Sequence, residues 1–387
     1  MDVRYPLLFA TEADNNMIYT YGITQQGTYH VKHDLVCQDA HNIIKCDDSY
    51  AIAAVADGLG SEEHSDIASQ MAVKISTSYC AENIKDEYSE EQILEIIRDS
   101  FALAQSEIEK AAESNGHDLD QYDTTLSLAV FKNDALYYGH SGDSGIVALT
   151  SEGLYKKVVE QQRDDEGRVF PLYFGDEKWV FGKFPEPVVS VFLATDGMFE
   201  TLFPVYIRNE PVNIYVALAR YFMGPDSLHI EEHGENYVKE KVSEFMNSIP
   251  DTQVNDDKTV VVLVNPTYEM KMQDAEYYAE PNWEELKRKY EDAWKRAAYP
   301  HLYKDAESVA DEIPINIAET DDTQKEQLSK DEVAESKAAA QNCEEPSENN
   351  AETNESCIAS STTSKNIIEK LFLRGKKENQ SEKGDKK

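Results

Sequence analysis

Between Ile18 and Pro266, short runs of apolar and β-branched residues alternate with amphipathic stretches of helix length, and several of the runs end beside an aspartate in a turn. A repeat of two residues marks strands and a repeat near 3.6 marks helices. Interleaved over most of a chain, the two predict a mixed α and β globular domain. Strands are expected over Met17 to Thr24, Tyr50 to Ala56, Thr125 to Phe131, Ala135 to His140, Gly145 to Leu149, Val188 to Ala194 and Thr259 to Val264. Helices are expected from Ser65 to about Cys80, from Ser89 to Glu113, near Val212 to Phe222 and over Asn236 to Asn247. In the second of these, Ile93, Ile96, Ile97, Phe101, Ala104 and Ile108 recur at helical spacing, so both helix pairs are expected to cover sheet faces.

The chain is long enough, at 387 residues, to bury a core without disulfide or metal staples. Its 37 Lys and Arg against 74 Asp and Glu leave a formal charge of −37, which argues against a nucleic acid or an anionic membrane as main partner and for cations or basic protein surfaces. Five cysteines without CxxC spacing suit a reducing compartment. The opening residues lack the basic start and long apolar run of a secretory signal, and no window approaches the roughly 20 apolar residues of a membrane span. A cytoplasmic monomer is expected.

Past Pro266 the pattern changes. Trp283, Leu286, Tyr290 and Trp294 fall on one face of a charged helix, which docks on the domain or a neighbouring subunit or else serves as a recognition helix. From about Asp305 the chain is acidic, polar and nearly free of aromatic residues, so it cannot bury enough apolar surface to offset its ordering entropy. The domain reading is therefore a globular domain over 1–270, an amphipathic helical extension over 271–304 and a disordered acidic tail over 305–387 whose end turns basic.

Four acidic turns adjoin the predicted strands: Asp57-Gly58, Gly142-Asp143, Asp196-Gly197 and Asp256-Asp257. Any one of them is ordinary turn chemistry, because glycine takes positive φ and aspartate bonds the turn backbone. Four at the ends of strands in one sheet system are different: their carboxylates can converge on one edge. Carboxylate oxygens are the ligands that hard divalent ions prefer, and paired ions of that kind clamp a phosphate and activate a water.

Taken in order, Gln38-Asp39-Ala40, Val55-Ala-Asp57-Gly58-Leu-Gly60, Thr124-Thr125-Leu126, Gly142-Asp143-Ser144, Ala194-Thr195-Asp196-Gly197 and Asp256-Asp257-Lys258-Thr259 resemble the successive motifs of the metal-dependent type 2C protein serine/threonine phosphatases, with Gly27 to His30 similar to a bacterial branch. The resemblance covers about residues 18–266. It implies an α+β fold, a four-layer α-β-β-α sandwich with two central antiparallel sheets, and hydrolysis of phosphoserine and phosphothreonine by a metal-bridging hydroxide without a phosphoenzyme. Two divalent ions, Mn²⁺ or Mg²⁺, would be held by Asp57 and the Gly58 carbonyl with Asp196 and Asp256, and Asp143 matches the position of a weaker third. Asp39 would act on the metal shell or through a bound water, which makes Asp39 and Asp57 the implied catalytic pair. The implied partners are a phosphoprotein substrate and an opposing serine/threonine kinase.

The sequence also departs from the family pattern. Where many members place a phosphate-holding arginine before the Gln-Asp pair, this chain reads Tyr29-His30-Val31-Lys32-His33, so His30 and Lys32 are the candidates for that role. Leu59 stands where some relatives carry a histidine, and Asp143-Ser144-Gly145 lacks the usual arginine. A catalytically weak relative that binds phosphoproteins or scaffolds signalling is the alternative, and an unrelated carboxylate enzyme acting on another phosphoester is a third reading.

Overall fold

The computed structural model describes residues 17–300. The expected tail from 305 lies outside the described residues. By packing, the chain divides into two compact units. One holds the residues up to Gln161 together with Pro171–Glu280, and the other holds Gln162–Phe170 with the residues from Pro281 onward.

The first unit is built on two five-stranded sheets. Its strands, in chain order, are β1 (Tyr19–Gln25), β2 (Asp39–Asp47), β3 (Tyr50–Asp57), β4 (Leu126–Lys132), β5 (Ala135–Ser141), β6 (Gly145–Thr150), β7 (Tyr155–Lys157), β8 (Val180–Lys183), β9 (Val188–Ala194) and β10 (Lys258–Val264). One sheet runs β1-β10-β9-β6-β7 and the other β2-β3-β4-β5-β8. All neighbouring strands within each are antiparallel. Helices α2 (Ser65–Asn83) and α3 (Glu90–Asn115) cover the second sheet, whereas α4 (Asp196–Leu202), α5 (Val216–Met223) and α7 (Glu235–Ser248) contact the first. This is the expected α-β-β-α sandwich.

Strand β3 shows why the layers close. It is buried on both faces, and the two-residue repeat sends alternate side chains to different cores. Ile52, Ala54 and Ala56 face the core shared with α2 and α3, where Ile97, Phe101 and Ile108 pack. Ala51, Ala53 and Val55 join Phe131, Ile146, Leu193 and Val261 between the sheets. Each fully buried large aliphatic or aromatic side chain there contributes about 1.5–3 kcal/mol relative to exposure. The small β3 alanines meet Ala68 and Ala72 of α2, which lets helix and sheet approach closely.

The expected strands and helices are all present, with ends displaced by a few residues. The start of α3 is set by a capping box, in which Ser89 accepts from the Gln92 backbone N–H and the Gln92 side chain accepts from that of Ser89. Strand β2 was not anticipated. As an edge strand reading Asp-Ala-His-Asn-Ile-Ile-Lys-Cys-Asp, it buries only its first residues and so carries little apolar periodicity. The five-residue helix α1 (Thr28–Lys32) was likewise unforeseen, as were α4, α6 (Ile230–His233) and the short strands β7 and β8.

Residues 266–280 return to the first unit: Lys271 N–H donates to the Ser151 carbonyl, and the Tyr277 hydroxyl accepts from Tyr155 N–H. In the second unit, Arg163 bridges Val169 in a small turn. There too α8 (Trp283–Ala298) starts at Asn282, whose side chain accepts from Glu285 N–H. On its predicted stripe Leu286 is buried, while Tyr290 and Trp294 are exposed.

Candidate active site

The site is assembled where strand ends from both sheets meet. Asp57 closes β3, Asp143 lies in the turn between β5 and β6, and Asp196 opens α4 directly after β9. One ligand oxygen from each of the three lies within 4.8 Å of the others. The Asp57 backbone is clamped in place: its N–H donates to Thr125 Oγ1 at 2.9 Å, and its carbonyl accepts from Thr125 N–H at 2.8 Å and from Thr124 Oγ1 at 3.0 Å. Thr125 Oγ1 is also 3.0 Å from Ser144 Oγ, tying the β5–β6 turn to the same point. Gly58 follows, with its N–H on the Gln38 carbonyl at 3.1 Å.

Asp39 opens β2 directly opposite Asp57 in the register. It is buried, and Thr195 Oγ1 donates to its Oδ2 at 2.7 Å. Thr195 caps α4 by position, yet its hydroxyl makes no cap bond because it is turned to Asp39. Burial pushes the Asp39 carboxyl up to about 8, opposed by hydrogen bonds from Thr195 and Thr259 and reinforced by the charge of Asp257. Asp57 is pushed well above the usual carboxylate range by burial and then by Asp39, Asp196, Asp143 and Asp256. So many like charges in a partly dry site are stable as anions only with cations between them. An all-oxygen carboxylate set fits hard divalent ions such as Mn²⁺ and Mg²⁺.

The remaining candidates have different surroundings. Asp256 is more than half exposed at the start of β10, and its charge acts on Asp57 and Asp39 from outside the triad. Its neighbour Asp257 is buried and turned inward: Oδ1 accepts from Gly27 N–H at 2.6 Å, while Oδ2 accepts from Gln38 N–H at 2.6 Å and lies 2.9 Å from His30 Nδ1. Only glycine fits at position 27, where a Cβ would run into the Asp256 backbone. His30 is thus a buried partner of Asp257, with Nε2 3.8 Å from Asp256 Oδ1. Lys32 is exposed and holds Asp251 at 2.9 Å. Both residues lie on α1, each engaged by a carboxylate of this chain.

Thr195, Thr259, Thr125 and Asp257 stand in the sequence motifs without an assigned role, and in the structure they orient the site. Their signal was present in the motifs: each is a polar residue at or next to the end of a mostly apolar strand.

Among solved structures, the chain is similar to the serine/threonine phosphatase Stp1 from Staphylococcus aureus, at 15% identity over 68% of this chain and 99% of that one, with a TM-score of 0.44. It is also similar to the catalytic domain of the serine/threonine protein phosphatase PstP solved with two manganese ions, at 18% identity over 64% and 97% with a TM-score of 0.43. A third is PppA of Pseudomonas aeruginosa, at 15% identity over 64% and 97% with a TM-score of 0.44. No curated protein sequence matches the chain. Residues 26–226, more than half of the chain, match the family model of protein phosphatase 2C. The chain therefore belongs to the protein phosphatase 2C family of serine/threonine phosphatases.

Proposed function

We propose that this protein is a metal-dependent phosphatase that hydrolyses phosphoserine and phosphothreonine in a protein substrate, opposed by a serine/threonine kinase, acting in the cytoplasm as a monomer. The observation that carries it is the convergence of Asp57, Asp143 and Asp196 from three separate strand ends. Residues 1–270 would form the catalytic domain, 271–304 a helical extension and 305–387 a tail dispensable for turnover of small substrates.

Asp57, the Gly58 carbonyl, Asp196 and Asp256 would hold two divalent cations, and Asp143 would serve a weaker third. Bound there, Mn²⁺ or Mg²⁺ would supply a water acidified toward neutral pH and positive charge for the phosphoryl oxygens. Asp39, which accepts from Thr195 Oγ1 and pairs with Asp57 in the register, would take a proton from the attacking water. The water oxygen would bond to phosphorus as the ester P–O bond breaks, and the leaving oxygen would take up a proton from solvent, releasing phosphate and the serine or threonine hydroxyl. A cysteine phosphoenzyme is disfavoured by the surroundings of Cys37, whose thiol is pushed far up by burial and by the charges of Asp257 and Asp39.

One observation favours a second reading, a weak or inactive relative that binds phosphoproteins: His30 is engaged with Asp257 and Lys32 with Asp251. Phosphate release from a phosphothreonine peptide separates the two. Turnover that requires Mn²⁺, stops with EDTA and falls at least about a hundredfold in Asp196→Ala supports the enzyme. Metal binding by calorimetry without turnover would select the binder.

A further inference from the structure

Next to Asp57, backbone hydrogen bonds stitch together segments that are distant in sequence. Thr125 N–H donates to the Asp57 carbonyl, Gly58 bridges Thr124, and Leu59 N–H donates to the Asp123 carbonyl at 3.0 Å. The pairing is antiparallel, so Asp123 stands two residues, about 7 Å, along from Asp57. Leu172 N–H donates to the Thr124 carbonyl at 2.8 Å, which brings the exposed aromatic pair Tyr173 and Phe174 to the same place. Their ring centroids are 4.6 Å apart.

Around that aromatic pair the surface offers acceptors. Asp123 is half-buried, and its carboxyl is pushed up to about 7 by burial and then by the charges of Glu62 and Asp120. The Tyr173 hydroxyl is pushed up by burial and by Asp123 and Asp120 in turn, so its ring shares their surroundings. Among the described residues no lysine or arginine pairs with Glu62, Asp120 or Asp123. Gln38 adds an acceptor that is independent of charge. It is 6% exposed, and its Nε2 donates to Ser65 Oγ at 2.8 Å and to the Glu62 carbonyl at 3.4 Å, which sets which end of the amide faces which way. Its Oε1 has no partner among the described residues and looks onto Gly60, on the loop that carries Glu62. A buried carbonyl of this kind is stabilised when a donor arrives.

We infer that this surface docks the flank of the phosphoprotein substrate and selects an arginine one to three residues from the phosphoresidue. The inference rests on the phosphatase reading, because it takes the phosphoryl group at the carboxylate cluster as its fixed point. A guanidinium is planar, permanently charged and forked: it stacks on the exposed Tyr173 ring while its N–H groups donate to Asp123 and Glu62. A lysine ammonium is a point charge and answers the carboxylates without the stacking. An apolar flank leaves the carboxylates unanswered, and an acidic flank meets like charge. An extended peptide advances about 3.3 Å per residue, so two residues cover the distance from Asp57 to Asp123, and the length of the arginine side chain sets the spread around that position.

The test uses the full-length protein with Mn²⁺ and phosphothreonine peptides that carry arginine, lysine or alanine at each of the three positions on either side of the phosphoresidue. Its readout is the ratio of kcat/KM between peptides, in which a general loss of activity cancels. Non-hydrolysable phosphonate analogues give the same ratio from Kd by fluorescence polarisation, with or without turnover. At one or two positions arginine is expected to be favoured over alanine about tenfold and over lysine about threefold. Asp123→Asn and Glu62→Gln are each expected to lower the arginine-to-alanine ratio about threefold or more, and Tyr173→Ala to remove the preference for arginine over lysine. The inference is overturned if the ratios stay near one, if the variants leave them unchanged, or if arginine and lysine gain equally at every position, which the formal charge of −37 alone would produce. Mn²⁺-dependent hydrolysis of an aryl phosphate in any of those cases leaves the phosphatase reading standing. No hydrolysis of any substrate, with the ratios intact in binding, overturns that reading and keeps the docking surface.

Discussion

Thr195 follows the last residue of β9 in one sheet and Asp39 opens β2 in the other, and the 2.7 Å hydrogen bond from Thr195 Oγ1 to Asp39 Oδ2 is a direct polar tie between the two strand ends. It joins the end of β9, where Asp196 begins, to the start of β2, opposite Asp57. Thr195→Val keeps the shape and removes the donor to a buried carboxylate, a charge-assisted bond of about 1.5–3 kcal/mol. Metal affinity by calorimetry and kcat/KM are both expected to fall about tenfold, with circular dichroism unchanged.

The same Asp39 predicts how cations and pH combine. In the cation-free protein its carboxyl is held up to about 8, against an ordinary 3.8. Between those values the folded state keeps a proton that the unfolded chain releases, so this contribution to stability is complete below pH 3.8 and lost as pH rises through 8. Without metal, the melting temperature is expected to fall across that window, and Asp39→Asn flattens the decline. Added Mn²⁺, which favours the anion, stabilises most at the alkaline end. Differential scanning fluorimetry against pH, with and without Mn²⁺, reads both slopes.

His140 works in the opposite sense. Buried between Ser127 Oγ and the Glu160 carbonyl, it is pushed down to about 4 from the usual 6.5, first by its burial. The unfolded chain takes up a proton that the folded state excludes, so the stability tied to the neutral ring is present above pH 6.5 and lost as pH falls through 4. His140→Gln should be clearly less stable than wild type at pH 7, and urea titrations at successively lower pH should bring the two curves together. Parallel curves at every pH would show that the ring does not titrate on unfolding.

Asp257 is expected to matter for stability. Its two oxygens serve two backbone N–H groups and His30 at once, and asparagine, with a single acceptor oxygen, cannot replace both. Asp257→Ala leaves Gly27 and Gln38 without an acceptor for their N–H groups and should cost about 3–5 kcal/mol in urea unfolding. An unaltered midpoint would count against this role.

The parts of the fold legible in the sequence were those whose side chains repeat with a clear period. Val188 to Ala194 and Thr259 to Val264 are buried at every position and read as strands at once, and α3 announced itself by its apolar spacing. Strand β2 was hidden because an edge strand buries only part of itself, and Asp39, which opens it, was legible only as a motif residue. The partners of His30 and Lys32, the carboxylates of Asp257 and Asp251, are distant in sequence and so could not be read from it.

By itself, the sequence determined the alternation of strands and helices, the acidic turns and the type of chemistry that clustered carboxylates support, because periodicity and residue type are local properties of the chain. Which of those carboxylates share a site, and which are spent on holding the fold, was decided by the tertiary structure alone. Asp256 and Asp257 are neighbours of the same residue type, yet one is exposed beside the cluster and the other is buried under Gly27, His30 and Gln38. The two lie in the turn that leads into β10, and only tertiary packing sets the Gly27, His30 and Gln38 segment against one of them and leaves the other at the surface.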